Sequence, residues 1–235
     1  MNRATFSVVV WAVIVTAFGF SNTAFAQELT FKDPKEFKEG TAAAKYFSSK
    51  SFYETVGEYA FDYDRMFGID CGDKYSVHDL QFLITEPIVF DKKDGPPVGG
   101  AWNVKFTANR CENAKIYNLQ MTAKKDGAVD VALLIPGTTI ASVNLQRDAS
   151  KMVHEAADYS GHLPKDCEDK FIFDTKVTQT PGRQVVEGRV FEDAWIENWT
   201  VRGCGVDVVV PIMFAPDPAM GATRFGVGQA FIEKK

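Results

Sequence analysis

Apolar residues in the first third of the chain recur every three or four positions; beyond Cys71 they recur every two. Asp33-Pro34-Lys35-Glu36 sets a capping carboxylate, a first-turn proline and a second carboxylate ahead of Phe37, Ala44 and Phe47. This predicts a helix over 34–47 that Gly40 weakens. Ser51-Phe52-Tyr53-Glu54 repeats the capping logic, and Phe52, Val56, Tyr59, Tyr63 and Met66 then form one stripe of an amphipathic helix. An apolar helical face has to be buried, so the stripe reads as core rather than as a pocket wall. Asp62 and Asp64 beside it are two apart and are expected not to face each other.

The alternating stretches predict strands over 75–84, 102–108, 115–121 and 129–134, with 140–145 as a fifth. Turns fall at Asp94-Gly95-Pro96-Pro97, Lys125-Asp126-Gly127 and Ile135-Pro136-Gly137. Asp148 is expected to cap a helix that carries Met152, Val153, Ala156 and Tyr159 and ends near Gly161. Strands resume over 171–179, 185–193, 195–201, 206–214 and 223–227, separated at Pro181-Gly182, Gly203 to Gly205 and Pro216-Asp217-Pro218.

One block occurs twice in this pattern. Ala101-Trp102, Thr107 and Cys111 reappear 93 residues on as Ala194-Trp195, Thr200 and Cys204, with Phe106 matched by Trp199. Upstream, Cys71-Gly72-Asp73-Lys74-Tyr75 returns as Cys167-Glu168-Asp169-Lys170-Phe171 at an offset of 96. A tandem duplication explains both. The fold expected is α+β: two units, each one or two helices followed by an antiparallel sheet of about four strands, packed around a pseudo-twofold. Residues 27–146 form the first unit and 147–235 the second.

Residues 1–26 read as a signal peptide. Arg3 gives a basic start, 6–20 is an almost unbroken apolar run, and Ala24-Phe25-Ala26 supplies the small residues of a cleavage site. The strongly apolar part is short of the about 20 residues that span a bilayer, so cleavage after Ala26 and release to the periplasm or medium are expected. No stable membrane insertion should follow removal of the leader. The whole chain carries 26 Lys and Arg against 31 Asp and Glu, dispersed without a basic cluster, which argues against nucleic acid as a partner.

Four cysteines in an exported chain read as two disulfides. Locality favours Cys71–Cys111 and Cys167–Cys204, although the two crossed pairings also suit a pseudo-twofold. No Cys-x-x-Cys spacing points to redox exchange, and no spacing points to a metal site. His154-Glu155 lacks the second histidine of a zinc-protease helix. His78-Asp79 lies in a strand, where neighbours point to opposite faces, so it is not expected to form an acid–base pair. No catalytic residue, cofactor or metal is indicated.

One position departs from the repeat. Trp102, Val104, Phe106 and Ala108 share a strand face, and the matching face holds Trp195, Glu197, Trp199 and Val201. A carboxylate between two indoles needs a partner, protonation or an opening. Arg183, Arg189 and Arg202 are the expected partners if it is structural. If it is functional, Glu197, Trp195, Trp199, Trp102 and Phe106 are the candidate ligand-binding residues. With 19 Phe, 7 Tyr and 4 Trp, the first reading is a noncatalytic exported binding protein for a small apolar or amphiphilic molecule in an aromatic-lined crevice. The second is a structural module of the cell envelope whose partner is another envelope protein. A carboxylate-based hydrolase comes third.

Overall fold

Gly40 divides the first predicted helix. Its φ of 75° is left-handed, so the backbone leaves the helical path there. The computed structural model describes residues 32–70, 72, 75–111, 113–186 and 188–233. Asp33 caps only a 3-10 turn, Pro34–Glu36: Lys35 N–H donates to Asp33 Oδ1 at 2.8 Å, and Asp33 N–H donates to Glu36 Oε1 at 2.9 Å. Thr41 then starts α1 (Ala42–Phe47) by accepting from Ala44 N–H at 3.2 Å. Ser49, rather than Ser51, caps α2 (Lys50–Met66) by accepting from Phe52 N–H at 3.2 Å.

The buried face of α2 holds Phe52, Val56, Gly57, Ala60, Tyr63 and Asp64. It is rotated from the predicted stripe: Ala60 continues the line from Val56, and Met66 is 68% exposed. Small residues let this side of the helix lie close on the sheet; a Cβ on Gly57 would stand 3.4 Å from Val77 Cγ2.

β1 (Ser76–Phe90), β2 (Pro97–Arg110), β3 (Asn113–Ala123) and β4 (Val129–Leu133) follow as an antiparallel meander in that order. Trp102, Val104, Phe106 and Ala108 are all buried, as the alternation predicts. They pack with Phe47, Phe52, Val56, Phe82, Tyr117, Leu119 and Met121 in one core. β1 and β2 run beyond the expected ends because bulges absorb what reads as turn sequence. Gly100, with φ of 101°, sits at one of them; a Cβ there would lie 2.5 Å from the Pro87 carbonyl oxygen.

The chain divides into two compact units between Gly137 and Thr138. In the second, 140–145 is not a strand. Ser142 caps α3 (Val143–Tyr159) by accepting from Leu145 N–H at 3.3 Å, so Asp148 lies within the helix rather than ahead of it. Gln146, Ala149, Val153 and Ala157 form the buried face of α3, whereas Tyr159 is 89% exposed.

β5 (Lys170–Val186), β6 (Arg189–Gly203), β7 (Val206–Asp217) and β8 (Ala222–Val227) form the second antiparallel sheet in chain order. Pro181-Gly182 does not end β5. This is an edge strand, where a missing N–H is tolerated, and the register shifts there instead. The predicted strand 185–193 is divided: Val185 and Val186 end β5, and 189–193 run on through Asp193, with φ of 53°, into β6.

Each unit is therefore helical first and a four-stranded sheet second, an α+β arrangement repeated. The repeat extends to backbone detail: Cys111 and Cys204 both take positive φ, 44° and 50°, in the β2–β3 and β6–β7 turns. Cys204-Gly205 is a two-residue loop with positive φ at both positions, the twist a tight hairpin needs. Cys167–Cys204 is a disulfide that ties the start of β5 to this turn. A Cβ at Gly203 would lie 2.9 Å from Cys167 Sγ, so glycine makes room for the bridge. The expected Cys71–Cys111 pairing falls on Cys71, which lies outside the described residues, as does the leader.

Candidate functional site

Glu197 is fully buried, and its partners are neutral. Trp195 Nε1–H donates to Oε1 at 2.9 Å, Trp199 Nε1–H donates to Oε2 at 2.7 Å, and Ile140 N–H donates to Oε1 at 3.0 Å. Alternation along β6 puts both indoles on the carboxylate's own face. Among the arginines expected as partners, Arg202 instead makes a two-pronged pair with Asp207, at 2.6 and 2.7 Å, and Arg183 lies 3.8 Å from Glu192.

The Ile140 bond belongs to a strap that leads into α3. Thr138 N–H donates to the Thr175 carbonyl at 2.7 Å, Val177 N–H donates to Thr138 Oγ1 at 2.9 Å, and Gln146 Nε2 donates to the Ala141 carbonyl at 2.7 Å. Glu197 thus fastens the chain ahead of α3 to the middle of its sheet. In the first unit Val104 occupies the corresponding place, and Trp102 Nε1 is buried without a hydrogen-bond partner among the described residues. Trp102, Phe106 and Trp199 are fully buried and Trp195 nearly so; each fills the core of its own unit.

The buried charge of the first unit is Asp64, in the last turn of α2. Its Oδ2 accepts from Tyr75 Oη at 2.9 Å and from Tyr117 Oη at 2.7 Å, with Arg110 Nε 2.5 Å away. Arg110 Nε also donates to Tyr117 Oη at 2.7 Å, and Lys115 Nζ lies 3.8 Å from Asp64 Oδ1. Burial, followed by the hydrogen bond to Asp64, pushes both phenols well above their ordinary range, so both hydroxyls stay protonated donors. The sequence carries a signal for this cluster: Asp64 continues the Val56-Ala60 spacing of the buried stripe.

Tyr75 also forms one wall of a recess of about 480 Å³ between the outer side of α2 and the start of β1. Tyr53, Gly57 and Phe61 line its helical side, four residues apart, and Glu54 and Glu58 follow the same spacing beside them. Tyr75 and Val77 close the other side, and Lys50 stands at one end. Gly57, on the buried face, brings the helix against Val77 at the base of the recess. Phe61 meets Tyr75 edge to face at 5.6 Å, and Arg65 places its guanidinium 5.4 Å from the Phe61 ring centre. Because Asp64 holds the Tyr75 hydroxyl, the floor of the recess is rigid.

The aromatic stripe that the spacing predicts along α2 belongs to the core, and this second line is separate from it. Its legible sign is the pair of parallel i, i+4 rows, 53-57-61 and 54-58, off the buried stripe. None of the five candidate ligand-binding residues, Glu197, Trp195, Trp199, Trp102 and Phe106, lines the recess. A wider concavity of about 650 Å³ lies where α3 begins, against Asp217 and its neighbours in the β7–β8 turn, and it has no aromatic wall.

His78 and Asp79 do meet, Nδ1 to Oδ2 at 2.7 Å, against the expectation from alternation. Asp79 takes a positive φ of 53° at a bulge, which turns its side chain towards its neighbour. The bond to Asp79, and then one to Asn109, raises the His78 pKa, and the pair sits at the surface. His154 is held low by burial and then by Lys170, whose ammonium pairs with Asp158 at 2.9 Å. No group of three or more His, Cys, Asp or Glu among the described residues is placed to hold a metal ion.

No protein-family model, curated protein or solved structure matches this chain.

Proposed function

We propose that this is an exported, noncatalytic binding protein that takes a small amphiphilic ligand in the recess between α2 and β1. The observation that carries the reading is the recess itself: a volume in the range of small-molecule sites, three aromatic walls, and polar groups confined to one rim. Export is supported by the Cys167–Cys204 disulfide, which suits an oxidising compartment. No described helix is long and apolar enough to cross a membrane.

The test is a screen of small amphiphiles against the exported protein by calorimetry and by shifts of assigned Tyr53 and Tyr75 ring resonances. Binding should weaken about tenfold in Tyr53→Ala and in Phe61→Ala, and tryptophan fluorescence should barely change, since no indole lines the recess. A panel that leaves both tyrosines unmoved overturns this reading. The envelope-module reading then takes its place, in which Trp102, Phe106, Trp195 and Trp199 do no more than fill two cores.

A further inference from the structure

The recess also has a sign of charge, and this deepens the reading on which it rests. Glu54 and Glu58 project along one rim, one helical turn apart. Lys50 reaches Glu54 at 3.0 Å, but both side chains are largely exposed, and such a pair is weak and easily exchanged. Glu58 makes no ion pair with any described residue. The rings of Tyr53 and Phe61 line the same side and that of Tyr75 the other, and aromatic faces carry negative potential. One of these rings already carries a cation of the chain itself, the Arg65 guanidinium over Phe61. The two cations nearby are already engaged, Lys50 with Glu54 and Arg65 over Phe61, which leaves Glu58 as the rim charge able to meet the head of a ligand.

We propose that the ligand is a cationic amphiphile whose quaternary ammonium head sits against Phe61 and Tyr75 beside Glu58, with its apolar tail running along Val77 towards Tyr53. A quaternary ammonium has no N–H to satisfy. It gains from ring faces and nearby carboxylates at little desolvation cost, which suits a recess open to water. The same head occurs on free cations and on lipid headgroups.

The probes are decyltrimethylammonium, decyl maltoside, sodium decyl sulfate, choline and phosphatidylcholine vesicles, each titrated into the exported protein below micelle formation where that applies. Decyltrimethylammonium is expected to bind about tenfold more tightly than decyl maltoside, and decyl sulfate more weakly than either. The double variant Glu54→Gln with Glu58→Gln should remove that tenfold preference and leave decyl maltoside unchanged. Both residues are exposed on α2, so folding should be unaffected, which circular dichroism would check. Choline binding without vesicle binding identifies a free cation; vesicle binding identifies the headgroup. Equal affinity for decyltrimethylammonium and decyl maltoside, with both weakened by Tyr53→Ala, overturns the cationic assignment and leaves the binding site standing. If none of the probes shifts Tyr53 or Tyr75, both readings fall together.

Discussion

Glu197 shows how the identity of a partner reverses a stability argument. A buried ion pair can often be replaced by apolar volume at little cost, and the repeat would recommend Glu197→Val as a copy of Val104. With two indole N–H groups and Ile140 N–H as partners, that replacement strands three donors instead. Each unsatisfied donor costs about 1–3 kcal/mol, so Glu197→Val should destabilise the second unit severely. Glu197→Gln keeps one acceptor but turns an amide N–H₂ towards an indole, and should cost about 1–3 kcal/mol. Urea denaturation orders the two, and a Glu197→Val protein as stable as the parent would refute the clasp. The repeat supplies a control. Trp195→Phe removes a donor that the carboxylate uses, whereas Trp102→Phe removes an indole N–H that is buried without a hydrogen bond. Trp195→Phe should therefore be the more damaging of two chemically identical changes.

Elements here begin where a side-chain oxygen can accept the first free N–H groups, and this is testable at α3. Ser142→Ala should cost about 1 kcal/mol, while Asp148→Ala, exposed within the helix, should stay within about 0.5 kcal/mol. The opposite ranking in urea melts would restore Asp148 as the cap. Strand ends depend on bulges in the same way. Gly205→Ala meets nothing within 4 Å and should cost about 1 kcal/mol for its φ of 78° alone. Gly100→Ala adds a contact with the Pro87 carbonyl to an unfavourable φ, and should cost more than Gly205→Ala.

For the molecule as a whole, the Cys167–Cys204 bridge of the second unit and the Asp64 cluster of the first should fail under different conditions. Replacing Cys167 and Cys204 by Ser opens a bridge of sequence separation 37, worth about 3–4 kcal/mol in the chain-entropy account. In a Trp102→Phe background the remaining described indoles, Trp195 and Trp199, report on the second unit alone, so its loss of stability can be followed directly by fluorescence. The first unit should be the alkali-sensitive one. Tyr75 and Tyr117 have folded pKa values raised above their ordinary 10.0, by burial and then by Asp64. Their contribution is complete below pH 10 and is lost as pH rises through the folded values. Tyr117→Phe should flatten that alkaline decline, as measured by urea midpoints across pH 8–12.

Periodicity alone determined that helices precede a sheet in each half and that Trp102, Val104, Phe106 and Ala108 face inward, and locality favoured the pairing of Cys167 with Cys204 over the crossed ones. These features repeat over many residues or lie close in sequence, so local preference and burial agree. The starts of α2 and α3 were displaced because several Ser and Asp residues compete as caps, and only the backbone path decides which oxygen meets a free N–H. That β5 runs through Pro181-Gly182 and β6 through Asp193 was hidden because a bulge and a turn use the same residues. That Glu197 needed partners was legible; that they are two indoles and a backbone N–H was not. The strap carrying Ile140 is 57 residues away in sequence, and nothing in the local pattern brings it there. Asp64 and the Tyr53-Phe61 row were present in the four-residue spacing along α2. Which face of α2 turns inward, and what lies across from the other, is settled only when β1 comes to rest beside the helix.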